Sequence, residues 1–327
     1  MKLLICVGTR PEFIKVKSLV KNLDGVKTLF TGQHQHLVKD INFDYKIRIN
    51  NKNKNRLNDI ICSILESNYI FEDITHILVQ GDTTSVMALS LAAYNNGKKV
   101  IHLEAGLRTN NIYDPYPEEL NRQIVSRISD INLCPTEYNK KNLLKENVPG
   151  QIYVTGNTGL DNIDKSNCVY DNKVLITMHR RDNHHIMDKW FEKISKIAKK
   201  YNDLEFIIPL HPNPNVTKHK NLLECVKVID PIPHDELIEI LKCSRFIITD
   251  SGGLQEEGSF LNKKVIVCRR TTERPETVGI HTTMCPYPKE LEQIVDNIYH
   301  NYKIDAPCPY GDGYAWKKIK EILEEII

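Results

Sequence analysis

The segment with the clearest chemical meaning is DSGGLQEE at 250–257, which directly follows the apolar run FIIT at 246–249. An apolar run followed by Ser-Gly-Gly and an acidic stretch predicts a strand, a tight turn and a helix start. Glycines let the backbone approach a ligand, and the first N–H groups of a helix bind phosphate. Glu257, about one turn into that helix, would reach a ribose hydroxyl. The second half of the chain is therefore predicted to hold a nucleotide or nucleotide sugar, with a turn that merely bends the chain as the alternative.

A second anion-binding pattern opens the chain, where GTRPE at 8–12 follows the run LLICV at 3–7. Pro11 suits the first turn of a helix. Arg10 would then project from the carboxyl end of a strand, where its planar guanidinium can bind a diphosphate. Lys15 lies about one turn further along that helix. The alternative is a plain strand–helix turn with two exposed basic residues.

Basic residues also follow two strand-like runs in the second half. HRRDN at 179–183 comes just after VLIT at 174–177, so His179 is placed to meet phosphate or to transfer a proton. TTERPE at 271–276 places Arg274 near the end of another such run. A solvated basic loop is the competing interpretation of the first segment.

Three carboxylates are candidates for proton transfer. Asp82 and Glu104 each come shortly after an apolar run. Glu118 begins a stretch of helical periodicity that two prolines precede. Charged residues rarely end a buried strand unless they are paired. Simpler interpretations remain open, namely a helix cap for Asp82, an ion pair with Arg108 for Glu104 and a favourable first-turn acid for Glu118.

The elements that must position these residues alternate between short apolar runs and stretches of helical periodicity, which predicts parallel sheets with right-handed crossovers. The 327 residues suit two α/β domains, and the polar stretch 157–173 is interpreted as their link. We expect two Rossmann-like domains, 1–163 and 174–313, with parallel sheets facing a central cleft. Ligands bind at the carboxyl ends of such strands. The stretch 46–56 is interpreted as an exposed loop.

Composition narrows the class of protein. Lys plus Arg is 44 and Asp plus Glu is 42, so the net charge of 44 − 42 = +2 gives no reason to expect a nucleic-acid or membrane partner. The 9 cysteines form no Cys-x-x-Cys pair, which is typical of reduced thiols in a cytoplasmic protein. We expect no metal, because no His/Cys cluster has metal-ligand spacing. We expect no NAD, because the turn after the first strand lacks the Gly-x-Gly-x-x-Gly pattern. With neither a metal nor NAD expected, we predict that the protein uses no cofactor.

Together, these segments resemble the non-hydrolysing UDP-N-acetylglucosamine 2-epimerase family. The matching segments occur in the family's order and span nearly the whole chain: GTRPE at 8–12, QGDTTS at 80–85, HLEAGLRT at 102–109, YPEELNRQ at 116–123, VTGNT at 154–158, HRRDN at 179–183, DSGGLQEE at 250–257, TTERPE at 271–276 and PYGDG at 309–313.

The resemblance implies the two-domain GT-B arrangement, a homodimer, and a C-terminal helix at 314–327 that returns to the first domain, leaving 174–313 as the UDP-binding domain. It also implies reversible inversion at C2 of UDP-N-acetylglucosamine, or of a 6-deoxy analogue, through elimination and re-addition of UDP. A GT-B glycosyltransferase, a hydrolysing 2-epimerase and a protein that only binds its ligand are the alternatives.

The resemblance also assigns roles to residues. The implied acid/base residues are Asp82, Glu104, Glu118 and His179. The implied nucleotide- and sugar-binding residues are Arg10, Lys15, Ser251, Gly252, Gly253, Glu257 and Arg274. Bacterial members often bind a second UDP-sugar as an activator, and Gln33, His34 and His211 lie in the matching segments. The chain departs from the family at Asp182, where Glu is usual, and in a shorter region around 24–56.

Overall fold

The computed structural model describes residues 2–33, 41–52 and 54–326. The predicted regulatory residue His34 lies outside the described residues. The chain divides into two compact units, one formed by Met1–Asn162 with Tyr310–Ile327 and the other by Ile163–Pro309. Among the described residues, no helix has the length and apolar character needed to cross a membrane.

The first unit contains a parallel sheet of seven strands in the order β3-β2-β1-β4-β5-β6-β7. The strands are β1 (Leu3–Val7), β2 (Lys27–Phe30), β3 (Tyr45–Lys46), β4 (His76–Gln80), β5 (Lys99–Leu103), β6 (Ile131–Cys134) and β7 (Gln151–Val154). From β1 the chain builds outward on one side and then returns to β4 on the other. The strand order therefore reverses between β1 and β4, and their carboxyl ends flank the crevice where ligands bind in such sheets.

The helices of this unit connect the strands and cover both faces of the sheet. They are α1 (Arg10–Asn22), α2 (Arg56–Leu65), α3 (Thr84–Asn95), α4 (Glu118–Ile128) and α5 (Glu137–Lys145), with α11 (Ala315–Ile326) from the end of the chain. Central strands such as β1 are buried along their whole length, which explains their continuous apolar sequence.

The last helix belongs to the first unit. Ile319 and Leu323 of α11 are buried in the same apolar cluster as Val16 and Leu19 of α1. The Asp161 carboxylate accepts the N–H groups of Ala315 at 2.8 Å and of Trp316 at 2.9 Å, which caps the first turn of α11. Capping and apolar packing together hold this helix against the first sheet.

The second unit contains a parallel sheet of six strands in the order β10-β9-β8-β11-β12-β13. Its strands are β8 (Lys173–Thr177), β9 (Glu205–Pro209), β10 (Lys227–Ile229), β11 (Ser244–Thr249), β12 (Lys264–Val267) and β13 (Thr282–Met284), and its helices are α6 (Met187–Lys200), α7 (Pro214–Thr217), α8 (His234–Cys243), α9 (Gly252–Phe260) and α10 (Leu291–His300). Here the strand order reverses between β8 and β11, so the loops after these two strands form the expected ligand-binding edge.

Most of the described residues of the stretch 46–56 are exposed, as its polar sequence predicts, but two isoleucines within it are buried. Ile47 and Ile49 are 5% and 6% exposed and join the apolar core. The Asn50 N–H donates to the Ser63 hydroxyl at 3.0 Å, and α2 already begins at Arg56. Alternate side chains of an extended segment point to opposite faces, so Ile47 and Ile49 reach the core while their polar neighbours stay exposed.

Candidate active site

The turn after β1 places Gly8 and Arg10 at the carboxyl edge of the first sheet. Gly8 has no room for a side chain, because an added Cβ would overlap the Ser85 hydroxyl and lie 2.6 Å from Thr31 Oγ1. Arg10 is the first residue of α1 and is half-buried. The close packing at Gly8 fixes the position of the turn between β1 and α1, and therefore the position of Arg10 at the start of α1.

Asp82 lies in the turn after β4, the other strand at the switch point. An Arg122 guanidinium N–H donates to its carboxylate, and the Asn121 side-chain amide donates to its backbone oxygen at 2.9 Å. The Asp82 side chain is 29% exposed. The cap of α3 is Thr83, whose hydroxyl accepts the Val86 N–H at 3.3 Å, so Asp82 is not the helix cap.

Glu104 follows β5, one strand further along. Lys15 and Gln80 both donate to its carboxylate, whose side chain is 9% exposed. The alternative ion pair with Arg108 does not form. Arg108 instead forms a two-point pair with Glu146, at 2.7 Å and 2.9 Å. Glu104 also has a φ of 66°, a conformation that side-chain-bearing residues adopt rarely and often at functional sites.

The two adjacent acids at the start of α4 occupy different environments. Glu119 is fully buried and accepts the Thr109 and Asn110 N–H groups at 3.0 Å and 3.1 Å, which makes it part of the scaffold. Glu118 is half-buried and lies about one turn before Asn121, which contacts Asp82. The structure thus brings the α4 start, the β4 turn and the β5 end to one edge of the first sheet.

In the second unit, Asp250 organises the loop that carries His179. Asp250 is fully buried, and its carboxylate accepts the backbone N–H groups of His179 and Arg180, each at 3.0 Å, and the Asn183 side-chain amide at 3.1 Å. Nδ1 of His179 lies 3.4 Å from the same carboxylate, while its ring remains 40% exposed. An imidazole that is oriented by a carboxylate at Nδ1 and remains accessible to solvent is suited to proton transfer or to phosphate binding.

The residues of the predicted regulatory set have different neighbours. His211 stacks on His179, with ring centroids 5.4 Å apart, and burial lowers the pKa of His211, as does the nearby His179. Gln33 belongs to the first unit, where the Ser85 hydroxyl donates to its side chain and Arg56 donates to its backbone oxygen at 2.7 Å.

The turn after β11 has the structure that its sequence predicts. Ser251 caps α9 by accepting the Leu254 N–H at 3.5 Å, and Gly252 begins the helix. Beneath this turn, Arg274 is 6% exposed and pairs with Glu256 at 2.7 Å and with Glu273. Arg274 is therefore held by two acids beside the start of α9, whose first-turn N–H groups are the ones that the sequence predicts to meet phosphate.

Glu257 lies further along α9 and has its own partner. Nε2 of His234, at the start of α8, is 2.8 Å from Glu257 Oε1, and the Glu257 side chain is 13% exposed. This contact fixes the orientation of the carboxylate that the sequence assigns to a ribose.

Comparison with known proteins identifies the family. The family model for UDP-N-acetylglucosamine 2-epimerase matches residues 20–324. The chain belongs to this epimerase family. It is 37% identical to the UDP-N-acetylglucosamine 2-epimerase of Neisseria meningitidis serogroup A, with 99% of each chain aligned, and 36% identical to that of Bacillus subtilis, with 99% of this chain and 95% of the relative aligned.

Solved structures agree with this membership. The Neisseria meningitidis epimerase bound to UDP-GlcNAc superimposes with a TM-score of 0.89 at 34% identity, covering 99% of this chain and 100% of that one. The Methanocaldococcus jannaschii epimerase in complex with UDP-GlcNAc and UDP gives 0.83 at 29% identity, covering 99% and 100%. MurG of Acinetobacter baumannii, at 12% identity and a TM-score of 0.62 over the full length of both chains, shares the fold alone. The predicted α/β fold of GT-B type is confirmed.

The structure adds two residues to the candidate site that the sequence analysis did not select. Asp250 appears in the motif, but its role follows only from its contacts with the His179 loop. His102 is fully buried in β5, and its Nε2 lies 2.8 Å from the Gly81 carbonyl oxygen, which fixes the turn before Asp82. Burial lowers the pKa of His102 to about 4, so the ring is neutral at pH 7. Its sequence signals were its place at the start of the segment HLEAGLRT at 102–109 and a histidine within an apolar run.

The neighbouring glycines of the turn after β11 provide a matched pair of variants. A Cβ at Gly252 would lie 2.5 Å from the Arg274 guanidinium, whereas at Gly253 the nearest atom would be 3.9 Å away. We expect Gly252→Ala to destabilise the protein by about 1–3 kcal/mol, as overpacking does, and Gly253→Ala to change stability by less than about 1 kcal/mol. Urea denaturation of both variants checks this, and equal midpoints would contradict the packing described.

Proposed function

We propose that this protein is a non-hydrolysing UDP-N-acetylhexosamine 2-epimerase. It reversibly inverts C2 of UDP-N-acetylglucosamine to give UDP-N-acetylmannosamine, or acts on a 6-deoxy analogue. The observation that carries the proposal is the group of carboxylates at the carboxyl edge of the first sheet, where Asp82 and Glu104 end adjacent strands. Binding of UDP needs a carboxylate only for the ribose, a role that Glu257 of the second unit fills, so the carboxylates of the first unit are left for proton transfer.

The chemistry has to overcome the low acidity of the C2 hydrogen, since the adjacent carbon is not a carbonyl. Breaking the C1–O bond sends its electron pair to UDP and leaves positive character at C1. That charge acidifies the C2 hydrogen, which a carboxylate removes as a proton, giving a 2-acetamidoglucal with a C1=C2 double bond. A proton then adds to the opposite face of C2, and UDP re-forms the bond to C1. No electrons are gained or lost overall, so no redox cofactor is required.

The first unit supplies the proton-transfer groups in this scheme. Asp82, Glu104 and Glu118 serve as acid and base at C2. Two of these carboxylates are held in place by different cations. Arg122 donates to Asp82, and Lys15 donates to Glu104. Different surroundings allow one carboxylate to accept a proton while another donates one.

The second unit binds UDP. The first-turn N–H groups of α9 and the Ser251 hydroxyl meet the diphosphate, and Glu257 accepts a hydrogen bond from the ribose. Arg10 and His179 stabilise the charge that develops on the leaving diphosphate, which is the interaction that accelerates bond breaking. By the same family resemblance, we propose that the protein is a homodimer, which light scattering in solution tests.

Incubation with UDP-N-acetylglucosamine in D₂O tests the proposed function. We expect NMR to show deuterium at C2 and intact UDP-sugars of both C2 configurations. Release of free N-acetylmannosamine and UDP would identify a hydrolysing enzyme. Unchanged substrate with hydrogen retained at C2 would contradict epimerisation and favour a glycosyltransferase or a binding protein. A panel of UDP-hexosamines, including 6-deoxy sugars, then defines the substrate.

A further inference from the structure

Glu257 is a side chain of α9 that stays accessible beyond the first turn of the helix. The residues from Leu254 to Phe260 are all described, and all of them except Glu257 are buried. Glu257 comes four residues after Gly253, so both lie on one face of α9, about 6 Å apart along its axis. A Cβ at Gly253 would have no atom closer than 3.9 Å, so this face is open. The open face of α9 therefore carries the glycine turn and, one helical turn later, a carboxylate.

One oxygen of this carboxylate is held by a histidine. Nε2 of His234 lies 2.8 Å from Oε1 of Glu257. An ionised carboxylate only accepts hydrogen bonds, so the imidazole donates from Nε2. The described residues give Oε2 of Glu257 no hydrogen-bond donor, and the Glu257 side chain is 13% exposed. The contact with His234 thus fixes the rotation of the carboxylate and leaves Oε2 able to accept from a ligand hydroxyl.

The backbone that carries His234 is itself held in place. His234 is the first residue of α8 and directly follows Pro233, whose φ is −57°. A proline ring fixes φ, and the residue before a proline is restricted to extended conformations. Further along α8, Ile238 and Leu241 are buried, which anchors the helix. The imidazole is therefore in position before a ligand arrives, and a donor that is already in place loses little conformational freedom on binding.

The stability of α9 does not explain why an acid occupies position 257. Glu257 lies in the last turn of the helix, where its backbone oxygen accepts the Leu261 N–H at 3.0 Å. The helix dipole disfavours a negative charge at this end and would favour it in the first turn. Largely removing a carboxylate from water also costs free energy unless its oxygens are hydrogen-bonded. A carboxylate kept here against both effects, with one oxygen held by His234, has the features of a ligand-binding group.

We propose that His234 is a positioning residue for nucleotide recognition. Its Nε2–H holds Glu257 so that the carboxylate accepts from the ribose hydroxyls, and this sets the preference of the site for a ribonucleotide over a nucleotide without those hydroxyls. The inference rests on the proposed function, which assigns the diphosphate to the first turn of α9 and the ribose to Glu257. It gives His234 no contact with the reacting atoms.

Calorimetric titration with UDP and with 2′,3′-dideoxy-UDP measures this preference as the ratio of two dissociation constants. We expect the wild type to bind UDP about 10- to 100-fold more tightly, as a hydrogen bond to a charged group allows. In His234→Asn the side-chain amide is too short to reach Glu257, and the ratio should fall at least about fivefold while the Kd for the dideoxy nucleotide changes less than about twofold. A merely structural role for His234 would weaken the binding of both nucleotides equally.

His234→Gln is the conservative variant, because its longer amide places an N–H group near the position of Nε2. We expect it to keep the wild-type ratio within about twofold. The control is His300→Asn, since His300 is an exposed residue at the end of α10 in the same unit, and it should match the wild type. In His234→Asn we also expect KM for the UDP-sugar to rise and kcat to stay within about threefold, because the ribose does not change during the reaction.

An unchanged ratio in His234→Asn would overturn the proposal, as would an equal loss in His234→Gln or equal affinity of the wild type for both nucleotides. If His234→Asn does not fold, His234→Leu replaces it with the same expected fall in the ratio and the same contradicting result.

The assay of C2 exchange in D₂O separates this inference from the proposed function. A ratio that falls as expected in a protein without C2 exchange supports the role of His234 and refutes epimerisation. C2 exchange together with an unchanged ratio refutes the role of His234 alone. A wild-type protein that does not bind UDP refutes both.

Discussion

Asp82→Asn and Glu104→Gln are each expected to lower the rate of C2 inversion by about 10²- to 10⁴-fold, the usual contribution of one proton-transfer group. The amides keep the side-chain shapes but cannot take the C2 proton. Affinity for UDP should stay within about twofold, because the second unit holds the nucleotide in the proposed mechanism. Deuterium incorporation at C2, followed by NMR, measures the first effect, and calorimetric titration with UDP measures the second. Glu118→Gln is expected to behave in the same way.

The control for these variants is Asp73→Asn. Asp73 has a side chain that is 70% exposed and pairs only with the exposed Lys2, a contact worth little in water. This control should retain wild-type turnover and stability. Wild-type turnover in Asp82→Asn, Glu104→Gln and Glu118→Gln together would show that the carboxylates at this edge do not transfer the proton.

Asp250→Ala is expected to lower kcat by about 100-fold or more and to destabilise the protein as well. Removing the carboxylate leaves the N–H groups of His179 and Arg180 and the amide of Asn183 without their acceptor in a buried place. A buried donor left unsatisfied costs about 1–3 kcal/mol. The imidazole of His179 also loses the group that orients it. We expect the midpoint of thermal unfolding to fall by roughly 5–10 °C, since about 1 kcal/mol shifts a domain of this size by 2–4 °C.

Asp182→Asn is the control in the same loop, because the Asp182 side chain is 64% exposed. It should keep the thermal midpoint and kcat of the wild type. Asp250→Asn separates the two effects of Asp250→Ala, since its amide oxygen still accepts a hydrogen bond although its N–H₂ group faces the loop N–H donors. We expect partial recovery of stability with kcat still reduced. Full activity in Asp250→Ala would show that His179 needs no support from this carboxylate.

Much of the fold could be predicted from the sequence because parallel strands covered on both faces are continuous apolar runs. The apolar runs at 3–7, 174–177 and 246–249 predict strands, and they form β1 and most of β8 and β11. Two short strands, β3 and β13, are not predicted by the sequence. They contain two and three residues, and their sequences YK and TTM carry no periodicity. Their pairing with longer neighbours, rather than their own propensity, makes them strands.

The sequence predicts where in the fold the candidate site residues lie, but it does not predict which residues they contact. Polar residues that follow apolar runs had to lie at the carboxyl edge of a parallel sheet, which is where Asp82, Glu104 and His179 are found. Partner choice was beyond the sequence. Glu104 pairs with Lys15 rather than with Arg108, four residues away, because the backbone of Glu104 takes a left-handed conformation and Arg108 is drawn to Glu146.

The alternation of strands and helices, the strand, turn and helix start around 246–253, and the family could all be predicted from the sequence, because each depends on local order along the chain. The tertiary structure was needed to show that Glu119 accepts backbone N–H groups and so serves the scaffold, and that Asp250 holds the His179 loop. The physical reason is that these roles depend on burial and on donors brought together from distant parts of the chain. The residue type alone does not show whether a carboxylate is surrounded by water or by three buried N–H groups.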